Sequence, residues 1–413
     1  MSEKEKSSLS TESYKGVRDF YPEDMATLNY IFGVWRKTCE SFGYIEYGAS
    51  ILEPSELYRA KSSEEIVSEQ TYSFTDRGGR EVTLRPEMTP TVARMIAGKR
   101  REISLPVRWY SIPNLFRYER PQRGRLREHF QLNADIFGVS SIEADVEMIL
   151  LAHTLMKNFG LTDRQFEIRI NSRKLLQLQF EGKLLSPDLY PDALRLIDKK
   201  DKLSSDAFDD LWKKISNAPF EINSKANEEI NGLLKTLGER GVPNAVYDPT
   251  LARGFDYYSD IVFEIYDTNP KNTRALFGGG RYDGLVSLFG QDHVPAVGFG
   301  MGDVTILDAL ETYGLLPSYR PTTDLYICLL GLEHVGRAEE IATELRSAGL
   351  RVAVDLSGKK LADQIKKADK DRVPFIIAIG EEEIKSGTYK LKELKSGEEK
   401  TLSLSEIPGA IRD

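Results

Sequence analysis

Five arginines fall within residues 117–127, in a segment that opens Phe116-Arg117-Tyr118-Glu119-Arg120-Pro121-Gln122-Arg123-Gly124-Arg125. A guanidinium is planar and permanently charged, so arginines on a rigid turn can grip phosphate oxygens in pairs, as lysine does less well. Glu119 among them can accept a hydrogen bond from an adenine amino group. A charged turn is more often merely solvated, but this density of one residue type argues for an anion clamp.

Three other clusters could complete a site. Leu251-Ala252-Arg253-Gly254-Phe255-Asp256-Tyr257-Tyr258 combines a cation, a carboxylate and two tyrosines, which suits a small ligand bearing both charges; an ordinary strand with an exposed arginine is the plainer reading. Phe277-Gly278-Gly279-Gly280-Arg281-Tyr282-Asp283-Gly284 has three consecutive glycines, which allow a backbone to approach a ligand or another strand closely, unless they simply form a flexible loop. Leu84-Arg85-Pro86-Glu87-Met88-Thr89-Pro90 holds a carboxylate and a hydroxyl between two prolines. That frame suits a seat for an ammonium group, or it is a helix start with Thr89 as cap. Gly298-Phe299-Gly300-Met301-Gly302 lacks the spacing of a dinucleotide-binding turn.

Other chemistries lack their residues. The two cysteines, Cys39 and Cys328, fall on apolar patterns and read as core. No pair among these and the four histidines, His129, His153, His293 and His334, has metal-ligand spacing.

The elements that must carry these segments follow from periodicity. Met25, Leu28, Phe32, Trp35, Cys39 and Phe42 make a helical stripe ended by Gly43. Residues 71–84 form two strands about a glycine turn. Strands at 107–112, 115–118 and 128–137 enclose the cationic turn as a long antiparallel hairpin. A helix follows at 142–159 and an alternating strand around Phe166, Ile168 and Ile170. Residues 175–241 are polar, lysine-rich and helical in spacing, with no strand signal. Strands return at 245–251, 261–266 and 276–278, then a glycine-rich tract runs to Gly302. Beyond a linker at 314–323, strand and helix alternate to the end of a small α/β domain.

At 413 residues the chain is long enough for two or three domains. Its 40% hydrophobic and 29% charged residues are those of a soluble globular protein. The longest apolar runs, such as 148–156, are far short of the roughly 20 residues that span a bilayer, and residues 1–13 lack the apolar stretch of a secretory signal. A cytoplasmic location with no membrane partner is expected. The net charge of −8 argues against a general nucleic-acid coat, but not against local RNA contacts.

Taken together, RGFDYYS, GGGRYDGLV and FRYERPQRGR with its following HFQ resemble the histidyl-tRNA synthetase family of the class II aminoacyl-tRNA synthetases. The first two are similar to its histidine signatures and the third to its second class II motif. Likeness runs from about Lys15 to near the C-terminus, and is weak in the insertion. The resemblance implies an α+β fold. A disordered tail (1–13) would precede a catalytic domain (14–320) built on an antiparallel sheet flanked by helices, with the helical insertion at about 175–241. An α/β anticodon-binding domain (323–413) would follow. It implies ATP-dependent ligation of L-histidine to its cognate tRNA through histidyl-adenylate, with release of AMP and pyrophosphate, by a homodimer. ATP would enter as a substrate accompanied by Mg2+, without a tightly bound cofactor or a protein-held metal.

The same resemblance assigns residues. Arg117, Glu119 and Arg125 would bind ATP, with Arg117 on the α-phosphate and Glu119 near adenine. Glu87 and Thr89 would hold the amino group of histidine. Gln131, Asp135, Arg253, Tyr257, Tyr258 and Tyr282 would shape its pocket, with Asp135 and Tyr258 nearest the imidazole. Arg253 would lie across the α-phosphate from Arg117, and these two arginines would carry the catalysis. A carboxylate attacking phosphorus needs no enzyme nucleophile, so positioning and charge neutralisation must supply the rate.

Two positions depart from the family. Thr305 stands where the third motif has an arginine for the γ-phosphate, leaving that role to Arg125, to another cation, or to looser ATP binding. Gly48-Ala49-Ser50 lacks the proline of the first motif at the dimer interface. The rival within the fold is the non-catalytic, histidine-sensing regulatory subunit of ATP phosphoribosyltransferase, which typically lacks the C-terminal domain and the catalytic arginines. A pure RNA-binding protein using 359–372, with six basic residues against three aspartates, would leave the tyrosine and glycine clusters unused.

Overall fold

A computed structural model describes residues 9–59, 70–122, 124–200, 203–272 and 274–412. Arg123 of the cationic turn and residues 1–8 of the expected tail lie outside them. The described chain divides into two compact units, one ending at Pro317 and the other beginning at Ser318.

The strands of the first unit are β1 (Ile45–Glu46), β2 (Leu52–Pro54), β3 (Tyr72–Thr75), β4 (Glu81–Leu84), β5 (Val107–Ser111), β6 (Asn114–Phe116) and β7 (Glu128–Phe137). Then come β8 (Phe166–Ser172), β9 (Ala245–Tyr247), β10 (Ile261–Asp267), β11 (Ala275–Arg281) and β12 (Ala296–Gly302). The main sheet has the order β1-β5-β7-β12-β11-β10-β8-β9, with β6 pairing the start of β7. It is antiparallel except at its two ends, where β1 pairs β5 and β8 pairs β9 in parallel. Strands β2, β4 and β3 make a small separate sheet.

Alternation along the central strands creates two unlike faces. Leu132, Ala134 and Ile136 of β7, Val297, Phe299 and Met301 of β12, and Ile261, Phe263 and Ile265 of β10 turn to one side. There they are buried with the helices Pro22–Ser41, Glu143–Asn158 and Asp303–Tyr313, whose Trp35, Met148 and Ile306 are fully enclosed. Each of the larger of these side chains contributes about 1.5–3 kcal/mol of burial, which makes this the stabilising face. The other face carries Gln131, Asn133 and Asp135 opposite glycines of β12, and holds the candidate site.

The glycine-rich tract is therefore strand and not loop. Gly278, Gly279 and Gly280 are buried within β11, and Gly298, Gly300 and Gly302 lie on β12, both inside the sheet. Cys39 and Cys328 are both buried free thiols, pushed up by that burial, as the apolar patterns imply.

The insertion is helical, with helices Arg173–Phe180, Tyr190–Asp198, Ser205–Trp212 and Glu228–Glu239. The first three share a small core of Leu176, Phe180, Leu194, Ile197, Phe208 and Trp212. The fourth buries Ile230, Leu233 and Leu237 against the main core instead, so it packs as part of the sheet's own helical layer.

In the second unit, strands β13 (Leu325–Leu329), β14 (Val352–Val354) and β15 (Phe375–Ile379) are parallel, with helices Val335–Ser347 and Leu361–Lys370 between them. An antiparallel hairpin, β16 (Thr388–Glu393) and β17 (Glu399–Ser403), extends that sheet. The basic residues of 359–372 are exposed, and Lys367 pairs with Asp371 along the helix.

Candidate active site

Glycines hollow out the polar face of the sheet. A Cβ on Gly298 would lie 2.1 Å from Oδ1 of Asp135, one on Gly300 2.8 Å from the Gln131 amide, and one on Gly278 2.9 Å from the Arg253 guanidinium. A Cβ on Gly280 would come within 3.0 Å of the Tyr258 ring. On β12 each of these glycines makes room for a polar side chain; at Gly278 and Gly280 of β11 the Phe263 and Ile261 carbonyls of β10 are closer still, so these glycines admit both the neighbouring strand and the side chains above it.

One end of the cluster is built by the segment between β4 and the helix Thr89–Gly98. Glu87 is only 3% exposed and accepts a hydrogen bond from the hydroxyl of Tyr257 (3.1 Å). Burial pushes the Tyr257 hydroxyl up, Glu87 adds to this, and Thr89 opposes it. Met88, not Thr89, occupies the cap position, and Thr89 is the first residue of the helix. Arg85 fixes the frame: its guanidinium donates to the carbonyls of Ala49 (2.8 Å), Ser50 (3.2 Å) and Asn114 (3.1 Å).

At the other end, Asp135 on β7 accepts the hydroxyl of Tyr282. Burial raises its carboxyl to about 7, against the Tyr282 hydrogen bond. The two ends are joined by edge-on packing of Tyr257 against Tyr282, ring centres 5.9 Å apart, and by a tilted contact of Tyr257 with Tyr258 at 4.9 Å.

Arg253 lies alongside. It donates to Glu264 on β10 (2.5 Å), to the Gly278 carbonyl (3.2 Å) and, weakly, to the Tyr258 hydroxyl (3.5 Å). Burial would lower its pKa, but Tyr258 and Glu264 more than offset that, so it stays a cation. Its backbone is left-handed, at φ 60°, a strained conformation for a side chain of this size. Arg173 maintains it, as its buried guanidinium donates to the carbonyls of Ala252 (3.1 Å), Arg253 (2.7 Å) and Tyr258 (3.1 Å).

On the hairpin, Arg117 donates to the Pro86 carbonyl (2.9 Å), beside Glu87, and Arg125 pairs with Glu119 at 3.4 Å. The hairpin's described arginines are not equivalent: Arg127 is buried, lies 4.1 Å over the Tyr118 ring and donates to the Glu119 carbonyl, so it holds the hairpin together. Arg281 of the glycine motif is likewise structural, buried against Asp145 and donating to the Val139 and Ser141 carbonyls. The Thr305 hydroxyl donates to the Leu276 carbonyl (2.6 Å) and is already engaged.

The sequence reading therefore named residues that the fold gathers: Glu87, Thr89 and Tyr257 in one group, Asp135 and Tyr282 in a second, Arg253 and Tyr258 in a third, with Gln131 along the floor. It missed Arg85, Arg173 and Glu264, whose roles depend on carbonyls and partners far along the chain. It also passed over His129, on the same face of β7 as Gln131, which burial and then Arg117 and Arg18 bring down to about 3 and keep neutral. Among the described residues, no group of three or more His, Cys, Asp or Glu could hold a metal ion, and no helix is long and apolar enough to cross a membrane.

Comparison with known proteins gives a consistent picture. Residues 16–218 and 209–304 match the family model for histidyl-tRNA synthetase, and 324–413 the one for an anticodon binding domain. The chain is similar to a histidine–tRNA ligase of Leptospira biflexa, at 42% identity over 98% of both chains. A histidine–tRNA ligase of Thermoplasma volcanium is 39% identical over 97% of this chain and 98% of its own. The fold matches the crystal structure of apo Staphylococcus aureus histidyl-tRNA synthetase with a TM-score of 0.76 and 26% identity, covering 98% of this chain and 100% of that one.

Proposed function

Because the chain belongs to the histidyl-tRNA synthetase family, we propose that the glycine-hollowed pocket holds histidine while the arginine hairpin presents ATP to it. The protein is an aminoacyl-tRNA synthetase that ligates histidine to tRNA, with ATP as a substrate. Its residues support specific roles in that reaction.

Histidine lies with its ammonium group at Glu87 and Thr89, its imidazole at Asp135 and Tyr258, and its side walls formed by Gln131, Tyr257 and Tyr282. The carboxylate then faces the α-phosphorus of ATP. Arg253 and Arg117 flank that phosphorus, Arg125 takes outer phosphate oxygens, and Glu119 meets the adenine amino group. Attack forms the carboxylate–phosphorus bond and breaks the bond to pyrophosphate, which leaves with Mg2+. Both arginines neutralise the charge gathering on phosphorus, and no covalent enzyme intermediate is needed. A ribose hydroxyl of histidine tRNA then attacks the acyl carbon and AMP departs. Residues 323–413 read the anticodon, and 14–320 form the catalytic domain with its 175–241 insertion. The enzyme works as a cytoplasmic homodimer.

The observation that carries this reading is the Tyr257 bridge. One residue donates to the Glu87 carboxylate and packs against the tyrosine bonded to Asp135, so a cation seat and a buried ring partner belong to one pocket. The histidine-sensor reading is less supported, because the anticodon-binding unit, Arg117, Arg125 and Arg253 are all present.

Pyrophosphate exchange into ATP, run with each standard amino acid, tests the assignment. Exchange with histidine alone is expected. A protein that binds histidine yet exchanges with no amino acid would be the sensor and not the ligase.

A further inference from the structure

Three polar atoms are buried near one another without a well-formed hydrogen bond: Oδ2 of Asp135, the hydroxyl oxygen of Tyr47 and Oγ of Ser111, the last two close enough for Ser111 to donate to Tyr47 and leave the tyrosine's own proton free. An orphaned buried group is costly, and a cluster of them points to something they await. Their placement is fixed by the sheet. Trp109 pairs with Asp135 across β5 and β7, and Ser111 pairs with Asn133 one step along on the same face. Tyr47 packs on Trp109 with ring centres 5.5 Å apart, and its backbone N–H donates to the Tyr110 carbonyl (2.9 Å). It belongs to the apolar cluster that contains Tyr257, Tyr258 and Tyr282.

The orphans are of complementary kinds. Above about pH 7 Asp135 is ionised and acceptor-only, and with Tyr282 on Oδ1 its Oδ2 is the acceptor left over. A Tyr47 hydroxyl whose proton burial and Asp135 hold in place is a donor. Neutral imidazole carries one N–H donor and one nitrogen acceptor, the matching set. We propose that Tyr47 is a specificity-determining residue of the histidine subsite: its hydroxyl, oriented by Ser111, donates to one ring nitrogen while Asp135 accepts from the other, and Tyr258 packs against the ring without bonding to a nitrogen. This rests on the ligase reading above.

The arrangement also joins the two ends of the substrate. Arg85 holds the carbonyls of Ala49 and Ser50, next to Tyr47, and stands two residues before Glu87. The frame that seats the ammonium group thus also sets the depth of Tyr47.

Tyr47→Phe removes the hydroxyl and keeps the ring on Trp109. Losing a donor that a buried partner needs should raise KM for histidine ~10-fold or more, with KM for ATP and the melting temperature close to the parent's. Pyrrolylalanines, which keep an N–H but lack the acceptor nitrogen, should inhibit the parent much more weakly than histidine binds. That preference for histidine should largely vanish in Tyr47→Phe. An unchanged histidine KM, or an equal rise in both KM values with a lowered melting temperature, would overturn the proposal while leaving the ligase reading intact. If the variant does not fold, the parent alone decides, because pyrrolylalanines that bind it as tightly as histidine would also rule out an acceptor contact. Absence of histidine-dependent exchange in the parent would instead sink the ligase reading itself.

Discussion

The buried guanidinium of Arg173 donates to the main-chain carbonyl of Arg253, 2.7 Å away and 80 positions later in the chain. The same side chain binds the carbonyls of Ala252 and Tyr258, so one residue at the start of the insertion shapes the loop that aims Arg253. The insertion's small core includes Ala252 as well, which ties the helical segment directly to the site.

Replacing Arg173 should therefore injure activity without touching substrate. Lysine keeps the charge but cannot span three carbonyls, so Arg173→Lys should lower histidine-dependent exchange ~10-fold or more and cost about 1–3 kcal/mol of stability. Arg253→Ala should abolish exchange and leave histidine binding measurable by calorimetry. Arg253→Gly, which accepts the φ of 60°, should be equally inactive but more stable than the alanine variant by roughly 1 kcal/mol. Full exchange activity in either Arg253 variant would show that its cation is not used.

The hollow at Gly298 offers a second test. A single methyl there would meet Asp135 Oδ1 at 2.1 Å, with β7 behind it. Gly298→Ala should cost about 1–3 kcal/mol by overpacking and raise KM for histidine far more than KM for ATP. Equal effects on the two substrates would mean that the glycine serves the sheet and not the pocket.

The carboxyl of Asp135, raised to about 7 by burial against the Tyr282 hydrogen bond, sets a pH dependence of folding. From near pH 4 to pH 7 the folded protein keeps a proton that the unfolded chain has released, so this group lowers stability as pH rises through that window and has no further effect above it. Asp135→Asn has no such proton and can still accept from Tyr282. Relative to the parent it should gain stability between pH 4 and pH 8, on the order of 1–3 kcal/mol, while losing histidine-dependent exchange. Parallel melting curves for the two proteins across that range would show that Asp135 is ionised throughout.

Thr305 is held by the Leu276 carbonyl, so the outer phosphates must find their cation elsewhere. The Arg125 guanidinium, which lies 3.4 Å from Glu119, is the hairpin's candidate. Arg125→Ala should raise KM for ATP about 10-fold or more, the scale of a lost charged hydrogen bond, and leave histidine affinity alone. An ATP KM near the parent's would move that role to another residue.

Residue types and most local elements are legible along the chain. Periodicity placed the helix carrying Trp35, the hairpin around the cationic turn and the parallel strands of the second unit, because helix and strand patterns are local. It also singled out the clusters around Glu87, Arg117, Tyr257 and Tyr282, because unusual chemistry leaves an unusual composition. Which of these meet, and what each then does, depends on contacts made between distant segments in the fold. Tyr257 reaches Glu87 across 170 positions and Tyr282 reaches Asp135 across 147, and no local pattern encodes such pairings. The same holds for like residues with unlike fates: Arg253 lines the pocket while Arg281 is spent on Asp145, since strand register and the facing carboxylates decide between them. The glycines of β11 and β12 look like loop in one dimension. They lie in strands packed so closely that a Cβ would run into the carbonyls of the neighbouring strands or into the polar side chains beside them, so only glycine fits.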